Sequence, residues 1–420
     1  MNSNRKSLFS VILPGILVAA TGVGAGDLMT AGLAGSAIGV SLLWAVVIGA
    51  VLKWFLNEGI ARWQMATGTT LLEGWSTQLG GWIQWIFMFY LLCWTFFTGG
   101  ALITACGVAG AGLIPLSNDP VISKIIWGIV HSFVGLLIVF VGGFRFFVKI
   151  MSACIALMFF TVIFTAIMAK PDWNAVGYGL VRPVIPESGL GWIIGILGGV
   201  GGTVTLLSYG YWIREDNRAG IDGIKTCRLD LSVGYIMTAL FGIAMVIIGS
   251  KVRITGSGAD TAPLLADQLR QVIGPAGKWI FLIGFWGAVF SSLLGVWQSV
   301  PYLFTDFIFL RRGLSREERQ AIDYTVTVPY RVYLCAIALI PLPVLLMTVT
   351  KAQLTYAVLG SLFMPLLALT LLIMNNRERW VGKQFLNGYI TNAELVVTLA
   401  FFAYIGFTQI FDKLKLLIGS

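Results

Sequence analysis

Of the 420 residues, 57% are hydrophobic and only 11% charged, against about 25% charged in soluble domains, which excludes a water-soluble globular protein. Lysine and arginine outnumber aspartate and glutamate 28 to 19, a formal charge of +9. In so apolar a chain that excess follows from loop topology and attraction to anionic lipid, so no nucleic-acid partner is required.

Apolar runs of membrane-spanning length are predicted at 8–38, 41–65, 82–110, 122–142, 145–169, 190–212, 231–250, 277–309, 330–349, 352–375 and 393–411. These make about eleven transmembrane helices in a single domain, residues 1–420, with no segment between them long enough for a soluble domain. Arg5 and Lys6 precede the first run as in a signal peptide. That run is too long for a signal's apolar region, however, and is read as a retained helix.

The first run carries the sharpest feature: Thr21-Gly22-Val23-Gly24-Ala25-Gly26-Asp27 in its middle. Each glycine weakens a helix by about 1 kcal/mol relative to alanine, and a carboxylate deep in a span is costly enough to need a use. Asp27 can hold a cation, an ammonium or a proton, or cap the second half-helix by accepting from its free N–H groups. Downstream, Ala31, Gly35 and Gly39 follow at four-residue spacing, which lets another helix approach closely. On the second run, Lys53 is read as snorkelling, and Glu58 and Arg62 as an i, i+4 pair near the cytoplasmic end. The third run, from Trp82 to Gly110, has no carboxylate, histidine, lysine or arginine. On the fourth, His131 is the chain's single histidine and makes no metal site alone.

The sixth run repeats the flaw of the first, with Gly198-Gly199-Val200-Gly201-Gly202 followed by Thr203, Thr205, Ser208 and Tyr209. Their hydroxyls are neutral donors and acceptors suited to a solute or a partly hydrated ion. Paired glycine-interrupted spans point to a transporter's substrate site at the membrane midplane. Free backbone groups at that depth are tolerated only where protein or a cavity receives them. The candidate substrate-binding residues are therefore Gly24, Ala25, Gly26, Asp27, Gly202, Thr203, Thr205, Ser208 and Tyr209, with Asp27 and Thr205 as candidate metal ligands. The runs divide into an inverted repeat of five plus five, 8–169 and 190–375, with 393–411 as an extra helix.

Arginine and lysine cluster at 145–149, 214–228, 311–319 and 377–383, and the alternate loops are sparser. The N-terminus is thus expected in the cytoplasm and the C-terminus outside, in a bacterial plasma membrane. Gly313 to Tyr330 is expected to hold a short amphipathic helix around Arg316–Arg319. The five cysteines form no CxxC pair and read as packing residues. No cofactor motif, HExxH, P-loop or nucleophile–base set is present, so enzyme chemistry is not expected.

Leu13-Pro14-Gly15-Ile16-Leu17-Val18, Thr67-Gly68-Thr69-Thr70-Leu71-Leu72-Glu73, Pro171-Asp172-Trp173, Arg228-Leu229-Asp230, Phe290-Ser291-Ser292-Leu293 and Asp306-Phe307 occur in this order. Together they resemble the Nramp family of divalent-metal transporters. The resemblance implies a leucine-transporter-type fold and metal transport. Gly24 stands where that family has its metal-binding aspartate, and Asp27 where it has an asparagine. Thr205-Leu206-Leu207 replaces its Met-Pro-His, and no acid lies in Thr95–Gly100, where its proton-carrying residues fall. Loss of the thioether removes a soft ligand. The implied substrate is a magnesium- or manganese-like ion, carried without the usual proton pathway. An alternative is a small organic solute such as an amino acid or carboxylate, bound by the Gly24–Gly26 amides at a half-helix N-terminus. A non-transporting sensor or scaffold is a third reading.

Overall fold

The computed structural model describes residues 8–418 apart from 188, 200, 217, 252–269 and 271–273. All regular structure among the described residues is helical. Helices α1 (Leu8–Gly22) and α2 (Ala25–Ile38) form the first expected span, broken at Val23 and Gly24. A tight turn at Gly39–Leu42 leads into α3 (Leu43–Thr67), which stops at Gly68 in the left-handed conformation. A short α4 (Leu71–Gly74) precedes α5 (Gly81–Leu113).

The fourth and fifth expected spans are one helix, α6 (Pro120–Met168), kinked at Gly143, whose φ of 63° interrupts the helical path. Asp119 starts this helix by accepting from the Val121 amide, the usual way of satisfying a free N-terminal donor. The loop after it contains α7 (Trp173–Val181), likewise capped by Asp172. The sixth expected span is split into α8 (Leu190–Gly199) and α9 (Ser208–Glu215). Helix α10 (Gly220–Ser250) starts well before the expected 231, because Asp222, Lys225 and Arg228 continue the helix beyond its apolar part.

Helix α11 (Pro275–Arg311) is the most enclosed of the long described helices. The amphipathic helix expected in the following loop is α12 (Arg316–Ala321), started by a reciprocal Ser315–Glu318 capping box. Helices α13 (Val328–Leu339), α14 (Val349–Ser361), α15 (Phe363–Met374), α16 (Glu378–Val381) and α17 (Tyr389–Ile418) complete the chain. Among the described residues nine helical stretches are long and apolar enough to cross a membrane, joined by shorter apolar helices at Ile12–Gly22 and Tyr389–Tyr404.

Small residues set the closest helix approaches. A Cβ added to Gly35 would lie 2.2 Å from the Val246 carbonyl oxygen, and one on Gly249 would lie 2.1 Å from that of Gly32. The first broken helix is thereby clamped to α10 backbone against backbone, as small residues permit in lipid.

Charge collects at one end of the bundle. Glu58 pairs with Arg62 and Arg228, Arg218 with Asp230, and Arg319 with Glu73 and Asp306. Asp306, fully buried, also accepts from Thr70 (2.8 Å), Tyr211 (2.9 Å) and Tyr324 (3.0 Å). Burial opposes the charge on Arg319, yet Glu73 and Asp306 outweigh it and hold the guanidinium ionised. Burial, then Asp306, pushes the Tyr324 phenol up. The arginine-rich loops expected on one membrane face therefore do meet at one end. Glu58 and Arg62 are buried ion-pair partners there, not snorkelling side chains.

Candidate substrate cavity between the broken helices

The second break owes its shape to glycine. Gly201 and Gly202 have φ of +80° and +82°, a left-handed conformation that costs other residues about 1 kcal/mol or more. They lead through Thr203 into a tight turn at Val204–Leu207 and then into α9. The two breaks touch: a Cβ on Gly22 would lie 2.7 Å from the Gly201 carbonyl carbon and 3.0 Å from the Gly202 nitrogen.

Side chains from scaffold helices receive the exposed carbonyls. At the first break, the Ser292 hydroxyl of α11 lies 3.2 Å from the Thr21 carbonyl oxygen and 3.1 Å from that of Val23. At the second, the Lys53 ammonium of α3 donates to the carbonyls of Gly198 (2.9 Å) and Gly202 (2.6 Å). The snorkelling expected of Lys53 is thus corrected. It is fully buried, its positive head held at the negative C-terminal end of α8.

Thr21, Gly22 and Gly24 face Thr205 across a small cavity closed by Trp94, Thr98 and Leu102 of α5, Ser292 and Val296 of α11, and Tyr356 of α14. It leaves about 10 Å³ for the centre of a water-sized sphere, room for one water or one small ion. Two of its hydroxyls, on Thr21 and Thr98, are 5% and 2% exposed and have no hydrogen-bond partner. Buried polar groups left so are uncommon and need an explanation. A larger cleft of about 740 Å³, between the end of α5 and the starts of α6 and α11, includes no residue of either break.

The candidate residues fall into several places. Gly24 and Thr205 line the cavity. Gly202 contributes its carbonyl to Lys53, and Thr203 accepts from the Trp94 indole at 3.0 Å, fixing a cavity wall. Ser208 is buried without a hydrogen-bond partner and is not among the cavity-lining residues. Tyr209 sits apart from the cavity, donating at 2.6 Å to Asp230 in the charged end. Ala25, Gly26 and Asp27 fall in the first turn of α2, and their side-chain surroundings lie outside the described residues. His131 is structural: Trp286 donates to Nε2 at 2.8 Å while Nδ1 bonds the Trp127 carbonyl at 2.7 Å, which defines the neutral tautomer. Among the described residues no group of three His, Cys, Asp or Glu side chains could hold a metal ion.

Sequence reasoning missed Thr21, Thr98, Ser292 and Lys53. The signal for Lys53 was present: a cation well inside an apolar run carries the same cost that singled out Asp27.

An all-helical membrane protein with two broken helices meeting over a closed cavity has the leucine-transporter-type fold of secondary transporters. The model for Natural resistance-associated macrophage protein-like (Nramp) sequences matches residues 15–412, and the chain belongs to that family. It is similar to the divalent metal cation transporter MntH of Staphylococcus aureus strain JH9, 23% identical over 270 residues, 62% of this chain. The match spans 59% of the length of that relative. Among solved structures, the Eremococcus coleocola manganese transporter bound to an aromatic bis-isothiourea compound aligns with all of this chain and 90% of its own. Its TM-score is 0.78, at 18% identity. The structure of MhsT in complex with L-phenylalanine covers 96% of this chain and 98% of its own, with a TM-score of 0.55 and 16% identity.

Proposed function

We propose that this protein is a secondary transporter working by alternating access, with the cavity between the breaks as its substrate site. Its substrate is a divalent cation of the hard, magnesium- or manganese-like kind. The observation that carries this reading is the pair of partnerless hydroxyls, Thr21 and Thr98, facing a space of ionic size between two interrupted helices. Neutral oxygens suit a hard, partly hydrated ion, and Asp27, in the first turn of α2, supplies negative charge. Family membership and the named metal-transporting relatives support the substrate class. The halves 8–169 and 190–375 act as the two moving repeats, 393–411 is peripheral, and the arginine-rich end faces the cytoplasm. No acid stands on α5, so proton coupling through that helix is absent.

A second reading is favoured by Lys53. An ammonium fixed at the second break attracts a carboxylate and repels a metal ion, and Trp94, Leu102, Val296 and Tyr356 give the cavity apolar walls. The substrate is then a small organic acid or amino acid.

Uptake of Mn²⁺ and Mg²⁺ into proteoliposomes separates the two. The cation reading requires saturable uptake that Asp27→Ala abolishes. Silence for every divalent ion tried, with stabilisation by an amino acid or carboxylate in a thermal-shift screen, establishes the second reading instead. In either case the Thr21→Val/Thr98→Val double variant should lose transport by about tenfold or more. Its thermal stability should hold or rise, because an unsatisfied buried hydroxyl costs about 1–3 kcal/mol. Loss of stability with transport intact would remove the cavity from the mechanism.

A further inference from the structure

Four backbone carbonyls and two hydroxyls converge where the end of α1 meets α11. The Ser292 hydroxyl lies 3.3 Å from the Ala20 carbonyl oxygen, 3.2 Å from that of Thr21 and 3.1 Å from that of Val23. The Ser291 hydroxyl lies 2.9 Å from the carbonyl oxygen of Ala288 in its own helix and 3.4 Å from that of Ala20. Both serines are buried.

The count of protons against acceptors is uneven. Two hydroxyl hydrogens face four carbonyl oxygens. Every approach to α1 is 3.1 Å or longer, beyond the 2.5–3.0 Å usual for a hydroxyl donating to oxygen. One hydroxyl spread over three carbonyls at such lengths is a poor donor to each. Oxygens held this way at the C-terminal, negative end of an interrupted membrane helix are what a transporter offers a coupling cation.

The six oxygens are all neutral. A divalent ion surrenders its hydration readily only to sites that include carboxylates, whereas a monovalent ion loses far less. Hard carbonyl and hydroxyl donors also exclude a soft metal.

We propose that the carbonyls of Ala20, Thr21, Val23 and Ala288, with the hydroxyls of Ser291 and Ser292, form a Na⁺ site that joins the first broken helix to α11. The site is separate from the substrate seat at Thr98 and Thr205. Ser292 is common to both, lying on the cavity wall, so Na⁺ held there couples its own binding to occupation of the cavity. Because α1 supplies three of the ligands through its backbone and α11 supplies the hydroxyls, the ion ties together two elements that must part if α1 moves. Binding therefore favours one conformation over the other, as coupling requires.

The test uses the purified full-length protein, with choline chloride holding ionic strength constant. Thermal stability should rise saturably with NaCl, as for any ligand that binds only the folded state. KCl and choline should give no comparable shift. Ser291→Ala and Ser292→Ala, made singly and together, should each raise the half-saturating Na⁺ concentration by about tenfold or more, and the pair should abolish the response. If the double variant does not fold, the single variants and ²²Na⁺ binding to the unaltered protein decide the matter. A flat response of the unaltered protein to Na⁺ overturns the proposal. So does an equal shift with choline or K⁺, an undiminished response in a folded single variant, or displacement of ²²Na⁺ by equimolar Mg²⁺. None of these readouts depends on transport, so failure here leaves the substrate reading standing, and failure of that reading leaves this one.

Discussion

Lys53→Met should leave a protein that reaches the membrane but is several kcal/mol less stable and transports poorly, whatever its substrate. Methionine fills nearly the same volume and relieves the cost of burying an ammonium. It leaves the carbonyls of Gly198 and Gly202 without the donor that reaches each of them. A buried acceptor deprived of its partner costs about 1–3 kcal/mol, and these two lie at the end of α8, where free carbonyls already accumulate. The break should then either close toward a regular helix or take in water. Lys53→Gln retains an amide donor and should lose roughly half as much as methionine. Thermal denaturation of the two variants beside the unaltered protein checks the order. A methionine variant as stable as the original would mean that Lys53 is a spectator and that backbone alone holds the second break open.

The two breaks were legible because glycine carries its physics openly. A run of them in an apolar segment has no other economical explanation, and the left-handed Gly201 and Gly202 are the reason for the second motif. The number of spans was nearly as legible, with one merger. Nothing in 122–169 announces that Gly143 bends a single continuous helix instead of ending one.

The cavity walls were harder to read, since they come from helices remote in sequence. Thr98 resembles any threonine that bonds back to its own helix, as Thr104 does to Gly100. Only packing leaves Thr98 partnerless and turns it toward the first break. Tyr209 was placed near the substrate by its distance along the chain from Gly202. The helical turn that begins at Ser208 carries it away, to Asp230. Lys53 and Ser292 illustrate one rule twice: each break needs partners for its carbonyls, and both come from intact helices. One is an ammonium and the other a hydroxyl, and that asymmetry sets the cation seat at the first break apart from the second, where a cation is already covalently supplied.

The meeting of the two breaks makes Gly22 the least replaceable position in the cavity. Gly22→Val should abolish transport and destabilise the fold by about 3 kcal/mol or more. The Cβ alone would sit 2.7 Å from the Gly201 carbonyl carbon, 2.9 Å from its oxygen and 3.0 Å from the Gly202 nitrogen. These are backbone atoms in a left-handed turn, and Lys53 holds that turn through Gly202. No rotamer change relieves the clash, so the two helices must separate. Gly22→Ala should show the same loss in smaller measure, about tenfold in transport. Gly177 gives the control. It lies inside α7 with nothing within 4 Å of an added Cβ, so Gly177→Ala should hold or gain up to about 1 kcal/mol from helix propensity. Transport and thermal midpoint measured on all three variants give the comparison. If Gly22→Val matches Gly177→Ala, the breaks do not touch in the working protein, and a substrate seat formed by their contact is refuted.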